Sequence, residues 1–127
     1  MAGKISAITT TVTIAGNNIS NDVGSLSFDT PYGSQDITGL DKSAVERLLL
    51  RADCTGTLNF FFNVDASRSH ATLKTPGSKS VVINFGGVAT ATFTALFTGY
   101  GLNVATDGSI AGTSPWALSS GTAVAWT

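Results

Sequence analysis

The sequence predicts a mainly β protein: a β-sandwich or half-barrel of mostly antiparallel strands, with one flanking α-helix and a short second helical turn. Three observations carry that prediction. Thr, Val, Ile, Phe, Gly and Ser together make up more than half of the chain while charged residues make up only 12%, a composition suited to pleated, half-buried surfaces. From Val88 to Thr98, Ala89, Ala91, Phe93, Ala95 and Phe97 alternate with Thr90, Thr92, Thr94 and Thr98, broken only by Leu96. This is the two-residue period of a sheet with one buried face. Turn signals such as Gly16-Asn17-Asn18, Gly86-Gly87 and Asp107-Gly108 punctuate the chain at short intervals, as in all-β architectures.

In chain order, Lys4–Ala15 reads as a long strand with Ile8, Val12 and Ile14 on one face. Val23–Thr30 is a second, with Leu26 and Phe28 alternating against Ser25 and Ser27. The stretch Asp29, Thr30, Pro31, Tyr32, Gly33, Ser34, Gln35, Asp36 breaks all periodicity and reads as an exposed loop. Tyr32 at its tip either is incidental or inserts into a neighbouring molecule, since tyrosine offers large contact area at low entropic cost.

Asp41 and Ser43 are N-cap types, and Ser43-x-x-Glu46 has capping-box spacing. Behind them Val45, Leu48, Leu49 and Ala52 recur at i, i+3, i+4 and i+7, which predicts a short amphipathic helix packed as a lid on the sandwich. It runs into the most apolar strand, where Leu58, Phe60, Phe62 and Val64 alternate with Thr57, Asn59, Phe61 and Asn63. Asp65–Lys74 reads as the second helical turn, with Ser67 as its cap and Pro76-Gly77 as its stop. Further strands are expected over Lys79–Phe85, Val88–Thr98, Leu102–Val104 and Ile110–Leu118, the last interrupted by Pro115. Trp116 and Trp126 argue that the end of the chain docks. The 127 residues are read as one domain.

Composition excludes several functions. The net charge is −1 with no basic patch, so an electrostatic nucleic-acid or membrane-surface binder has no support. No apolar run approaches the roughly 20 residues that span a bilayer, and the start lacks a signal-peptide segment; the chain is expected to be made in the cytoplasm and to stay there or in a particle assembled there. Cys54 is the only cysteine, read as a small buried hydrophobe. His70 is the only histidine, without a second ligand at metal spacing, and reads as a packing or capping group. No catalytic constellation, phosphate loop or metal motif is present, so neither an enzyme nor a cofactor is expected.

From Ser80 to Thr127, Asp107 is the only charged residue. Free β edges normally carry charges that block edge-to-edge pairing. Their absence points to a surface completed by other copies of the same chain, with Thr90, Thr92, Thr94 and Thr98 at a sheet edge or facing an assembly's interior.

The run Ile37-Thr-Gly-Leu-Asp-Lys-Ser-Ala-Val-Glu-Arg-Leu-Leu-Leu-Arg-Ala-Asp-Cys-Thr-Gly-Thr-Leu-Asn-Phe-Phe-Phe-Asn63, the later Ser-His-Ala-Thr-Leu-Lys-Thr-Pro segment and the Thr-Ala-Val-Ala-Trp-Thr end resemble the major tail tube protein of long-tailed bacteriophages. A related fold occurs in the type VI secretion tube and the inner tube of contractile tails. The resemblance implies a structural virion protein, made in the host cytoplasm and located in the tail. It implies hexameric rings stacked into a hollow tube through which DNA passes without specific binding. A loop over residues 29–38 would reach the adjacent ring, and the partners would be the chain itself, a tape-measure protein, a tail terminator and a baseplate hub. Lumens in such proteins are often acidic, whereas the long strand here offers threonines. The alternative is a stand-alone β-sandwich binding module of carbohydrate or adhesion type, using Tyr32, Tyr100, Trp116 and Trp126.

Overall fold

A computed structural model describes residues 6–127; the expected start of the first strand at Lys4 lies outside them. A 3-10 turn at Ala7–Thr9 leads into β1 (Thr10–Ile14) and β2 (Asn17–Asn18). They are joined by a tight turn in which Ala15 and Gly16 both have positive φ. A second 3-10 turn, Ser20–Asp22, precedes β3 (Val23–Asp29). Next come β4 (Tyr32–Asp36), β5 (Arg47–Ala52) and β6 (Thr55–Phe61). After α1 (Ser69–Leu73) follow β7 (Gly77–Phe85), β8 (Ala89–Phe97), β9 (Gly101–Val104), β10 (Ile110–Leu118) and β11 (Ala125–Trp126).

The fold is mainly β, antiparallel at every pairing, and not closed into a barrel. One sheet runs β2-β1-β7-β8-β10-β6-β3, with β9 added to β10 and β11 to β8. The sheet folds over at the β8–β10 junction, where only Ala95–Phe97 and Trp116–Leu118 pair. That fold brings Phe28 of β3 within 6.3 Å of Phe93 of β8, ring to ring, although β10 and β6 lie between the two strands in the sheet. Inward residues at alternate positions fill the space between the layers: Val12 and Ile14, Leu58 and Phe60, Val81 and Ile83, Phe93 and Phe97, and Trp116. Gly112 on β10 leaves room for the Phe60 ring, and Gly56 for Trp116; a Cβ at either place would overlap that ring.

Pro115 sits inside β10, an interior strand where proline removes a ladder donor. Its position explains the tolerance. Between Thr113 and Trp116 the strand changes partner from β9 to β8. In that gap the Ser114 hydroxyl donates to the Gly99 carbonyl at 2.8 Å and the Thr98 N–H to the Pro115 carbonyl at 3.2 Å.

The helix expected over residues 43–52 is instead β5, paired antiparallel with β4 through Asp36↔Arg47, Gln35↔Leu48 and Ser34↔Leu49. A helix this short is held chiefly by packing its apolar face on a core, and the sandwich core is already filled by its own strands. The capping box does not form: the Glu46 N–H donates to the Thr38 hydroxyl oxygen at 2.7 Å, inside the hairpin turn. The stretch Asp29–Asp36, expected to be aperiodic loop, therefore contains a strand, Tyr32–Asp36. The helix that does form is the short one within Asp65–Lys74. Ser67 does not cap it; Ser67 adopts positive φ, and the carboxylate of Asp22 accepts from the Ser69 N–H at 3.1 Å.

Candidate assembly surfaces

No group of His, Cys, Asp and Glu suited to holding a metal exists among the described residues. His70 is taken up by structure: its Nδ1 lies 2.8 Å from the Tyr100 hydroxyl, and its ring packs on Phe62 at 5.0 Å. Tyr100 in turn stacks on Phe60 at 5.4 Å, and burial pushes its hydroxyl pKa up. Cys54 is fully buried. Burial first, then the charges of Asp53 and Asp29, push its thiol up to about 11, so it stays protonated and unreactive at neutral pH. The four aromatics of the binding-module reading do not form a platform. Trp116 is 4% exposed and in the core, and Tyr100 is committed to His70, which leaves Tyr32 and Trp126.

Three surfaces remain. The first is the β4–β5 hairpin, an arm whose residues from Tyr32 to Arg51 are exposed except Thr38. Its turn is fixed locally. The Thr38 hydroxyl and backbone N–H both donate to the Asp36 carboxylate, at 2.6 and 2.9 Å, and hold its pKa below the usual carboxylate value. Exposed on it are Tyr32, Ile37, Leu40, Val45, Leu48, Leu49 and Leu50, with Leu40 and Leu49 most open to solvent. Scattered apolar residues on a surface are ordinary; a contiguous set marks a contact. The expected contact residues Asp29, Thr30, Pro31, Tyr32, Gly33, Ser34, Gln35 and Asp36 form the base and first strand of this arm. Its second strand, Arg47–Ala52, was hidden from sequence reasoning by the helical spacing of its leucines.

The second surface is the outward face of β1, β7 and β8. Register places Thr11, Asn84 and Thr90 in one row and Thr13, Val82 and Thr92 in the next, followed by Ser80 with Thr94 and Ser78 with Leu96. The face carries hydroxyls, an amide and two aliphatic side chains, and no charge. β8 is interior to the sheet: β7 flanks one side, and β10 and β11 share the other. The Thr90 N–H and carbonyl both bond to Thr127, and the Thr94 carbonyl accepts from the Ser119 N–H. The edge reading of Thr90, Thr92 and Thr94 is thus set aside by strands of the same chain, and the face remains. Thr98 lies beyond the end of β8, with its N–H bonded to Pro115.

The third surface is the seam where the two layers gape between β1 and β3. It holds a cavity of ≈ 470 Å³ lined by Ile8, Val12, Leu26, Phe28, Ile83 and Phe85 among others. Trp126 bridges the gap, stacking on Phe28 at 6.2 Å and on Phe85 at 6.3 Å.

No protein-family model and no curated protein matches this sequence. Among solved structures, the fold is similar to that of a chain in the virion of a native gene transfer agent particle. The TM-score is 0.76 at 9% identity, covering 98% of this chain and 99% of that one. It is also similar to a chain in the tail of an empty gene transfer agent particle with C6 symmetry. There the TM-score is 0.67 at 12% identity, over 84% of this chain and 82% of that one. At such identities the likeness is one of backbone architecture: this chain has the fold of chains found in the virion and the tail of gene transfer agent particles.

Proposed function

We propose that this chain is a structural subunit of a phage-type tail that assembles with copies of itself into stacked rings, forming a hollow tube through which DNA passes. The observation that carries the reading is the conjunction of the fold found in a C6-symmetric tail with an arm whose apolar side chains no described residue covers. The whole chain, 1–127, acts as one tube-forming domain in this reading, with residues 29–38 in the segment that reaches the next ring. The arm, including Asp29–Asp36, makes the contact between rings, and the threonine face of β8 lines the bore. A wall of hydroxyls holds no array of cations that would bind phosphates. By the sequence resemblance, the other partners are a tape-measure protein inside, a terminator at one end and a baseplate hub at the other.

Negative-stain microscopy of the purified protein, beside sedimentation across a concentration series, tests this. Rings or filaments of uniform width appearing as concentration rises are expected. A monodisperse monomer at every concentration, with no order under the microscope, overturns the reading.

A further inference from the structure

This inference rests on the assembly reading and concerns where the arm goes. Among the described residues, β3 ends the sheet path with β6 as its one partner, so one side of Val23–Asp29 has no ladder. Two grooves flank that open edge, and Gly24 and Ser25 border both. The inner groove is the seam of ≈ 470 Å³ between the layers. The outer, of ≈ 440 Å³, runs across Asn59, Phe61, Leu102 and Thr113. Among the described residues, no charged side chain lines either.

The arm has the complementary form. Leu48, Leu49 and Leu50 are consecutive and at least 45% exposed, and consecutive residues of a strand point to opposite faces. A ribbon covering a single surface needs leucines at alternate positions; apolar residues on both faces suit a strand covered on both sides. β5 pairs with β4 along one side only, so its other edge is open as well. Thr30 and Pro31 separate β3 from β4, and the two strands of the arm pair with each other, neither of them with its own β3. The occupant of that edge is therefore another copy.

We propose that the β4–β5 arm of one copy adds as a ribbon to the open edge of β3 in a second copy. Alternate side chains of β5 enter the inner seam and the outer groove. Main-chain bonds hold the pairing, and the two grooves select the side chains. Charge agrees with this docking. The one charged residue of β3 is Asp29, at its end, and Arg47 and Arg51 bracket the three leucines. Antiparallel pairing brings Arg47 toward Asp29, and parallel pairing brings Arg51.

Hydrogen–deuterium exchange on the free and assembled protein tests the proposal. Amides of β3 and β5 are expected to slow together on assembly, by on the order of tenfold or more. Asp29→Arg is expected to reduce filament yield by a similar factor through like-charge repulsion, and either Arg47→Asp or Arg51→Asp in the same chain to restore it, which also reveals the strand direction. Protection of the arm with β3 unchanged, or Asp29→Arg rescued by neither partner, overturns this docking while leaving the assembly reading intact. Failure of the unaltered chain to assemble at all removes both.

Discussion

Asp22 is a buried carboxylate, 5% exposed, and its two oxygens tie three segments together. One accepts from the Asn63 side-chain amide at 2.9 Å, the other from the Ser69 N–H at 3.1 Å. Ser69 extends the network by donating its hydroxyl to the Phe61 carbonyl at 2.7 Å. Truncation to alanine leaves a buried donor at Ser69 and a half-buried one at Asn63 without partners, so Asp22→Ala is expected to cost about 2 kcal/mol. The check is a urea denaturation series, read as a lower midpoint at unchanged slope. None of this was legible in the sequence, where Asp22 stands among polar turn residues and its partners lie 41 and 47 positions away. Cys54 was legible, because a lone cysteine at the head of an apolar strand has little to do but pack. Its thiol ordinarily ionises near 9.0 and here near 11. Between those values the folded chain keeps a proton that the unfolded chain loses, so stability falls as pH rises from 9 toward 11. Cys54→Ala is expected to flatten that decline; an identical pH profile in the variant overturns the assignment.

At the scale of elements, alternation proved a more dependable guide than helical spacing. Ala91, Phe93, Ala95 and Phe97 are buried as the two-residue period demands, because a pleated strand between neighbours has no other way to place its side chains. Val45, Leu48, Leu49 and Ala52 misled because a strand with leucines on both of its faces can also match the helical spacing, as this one does. What decides between helix and strand is whether a partner strand or a core is at hand, and here β4 is the partner. The bare second half also has a different cause from the one its composition suggests. β8 and β10 carry no charge, and strands of the same chain flank both of them on each side; among the described residues the open edges belong to β2, β3, β9, β11 and the arm. Two expectations follow from this division. Leu49→Lys, on an arm outside the core, is expected to change stability by less than about 0.5 kcal/mol while preventing filaments; a marked fall in melting temperature would show instead that the arm supports the fold. Trp126→Ala removes the ring stacked on Phe28 and Phe85 across the seam, and a loss of about 2 kcal/mol is expected. Unchanged unfolding would mean that the two layers hold together without that bridge.

For the whole molecule, the division of charge is the guide to orientation. The arm carries Asp36, Asp41 and Glu46 with Lys42, Arg47 and Arg51, whereas the outward face of β1, β7 and β8 carries none. A surface in contact with bulk water gains from charge, which keeps molecules apart in solution. A wall along which a polyanion slides gains from its absence, since each fixed cation would hold a phosphate and each release would cost the counterions gained. The tube proposed above therefore has the threonine face on its inside, as an expectation open to test. Thiol accessibility can decide it without DNA. In a Cys54→Ala background, Thr92→Cys places a reactive group on the outward face of β8, at an exposed position. In the free subunit it is expected to react with both N-ethylmaleimide and a long polyethylene-glycol maleimide. After assembly the small reagent should still reach it through the bore, while the polymer should be excluded along most of the tube's length. Val88→Cys, in the exposed turn between β7 and β8, serves as a comparison for how far assembly alone slows the polymer. Equal labelling of Thr92→Cys by both reagents before and after assembly would put the threonine face on the outside of the tube, and would leave the lining of the bore to another sheet face.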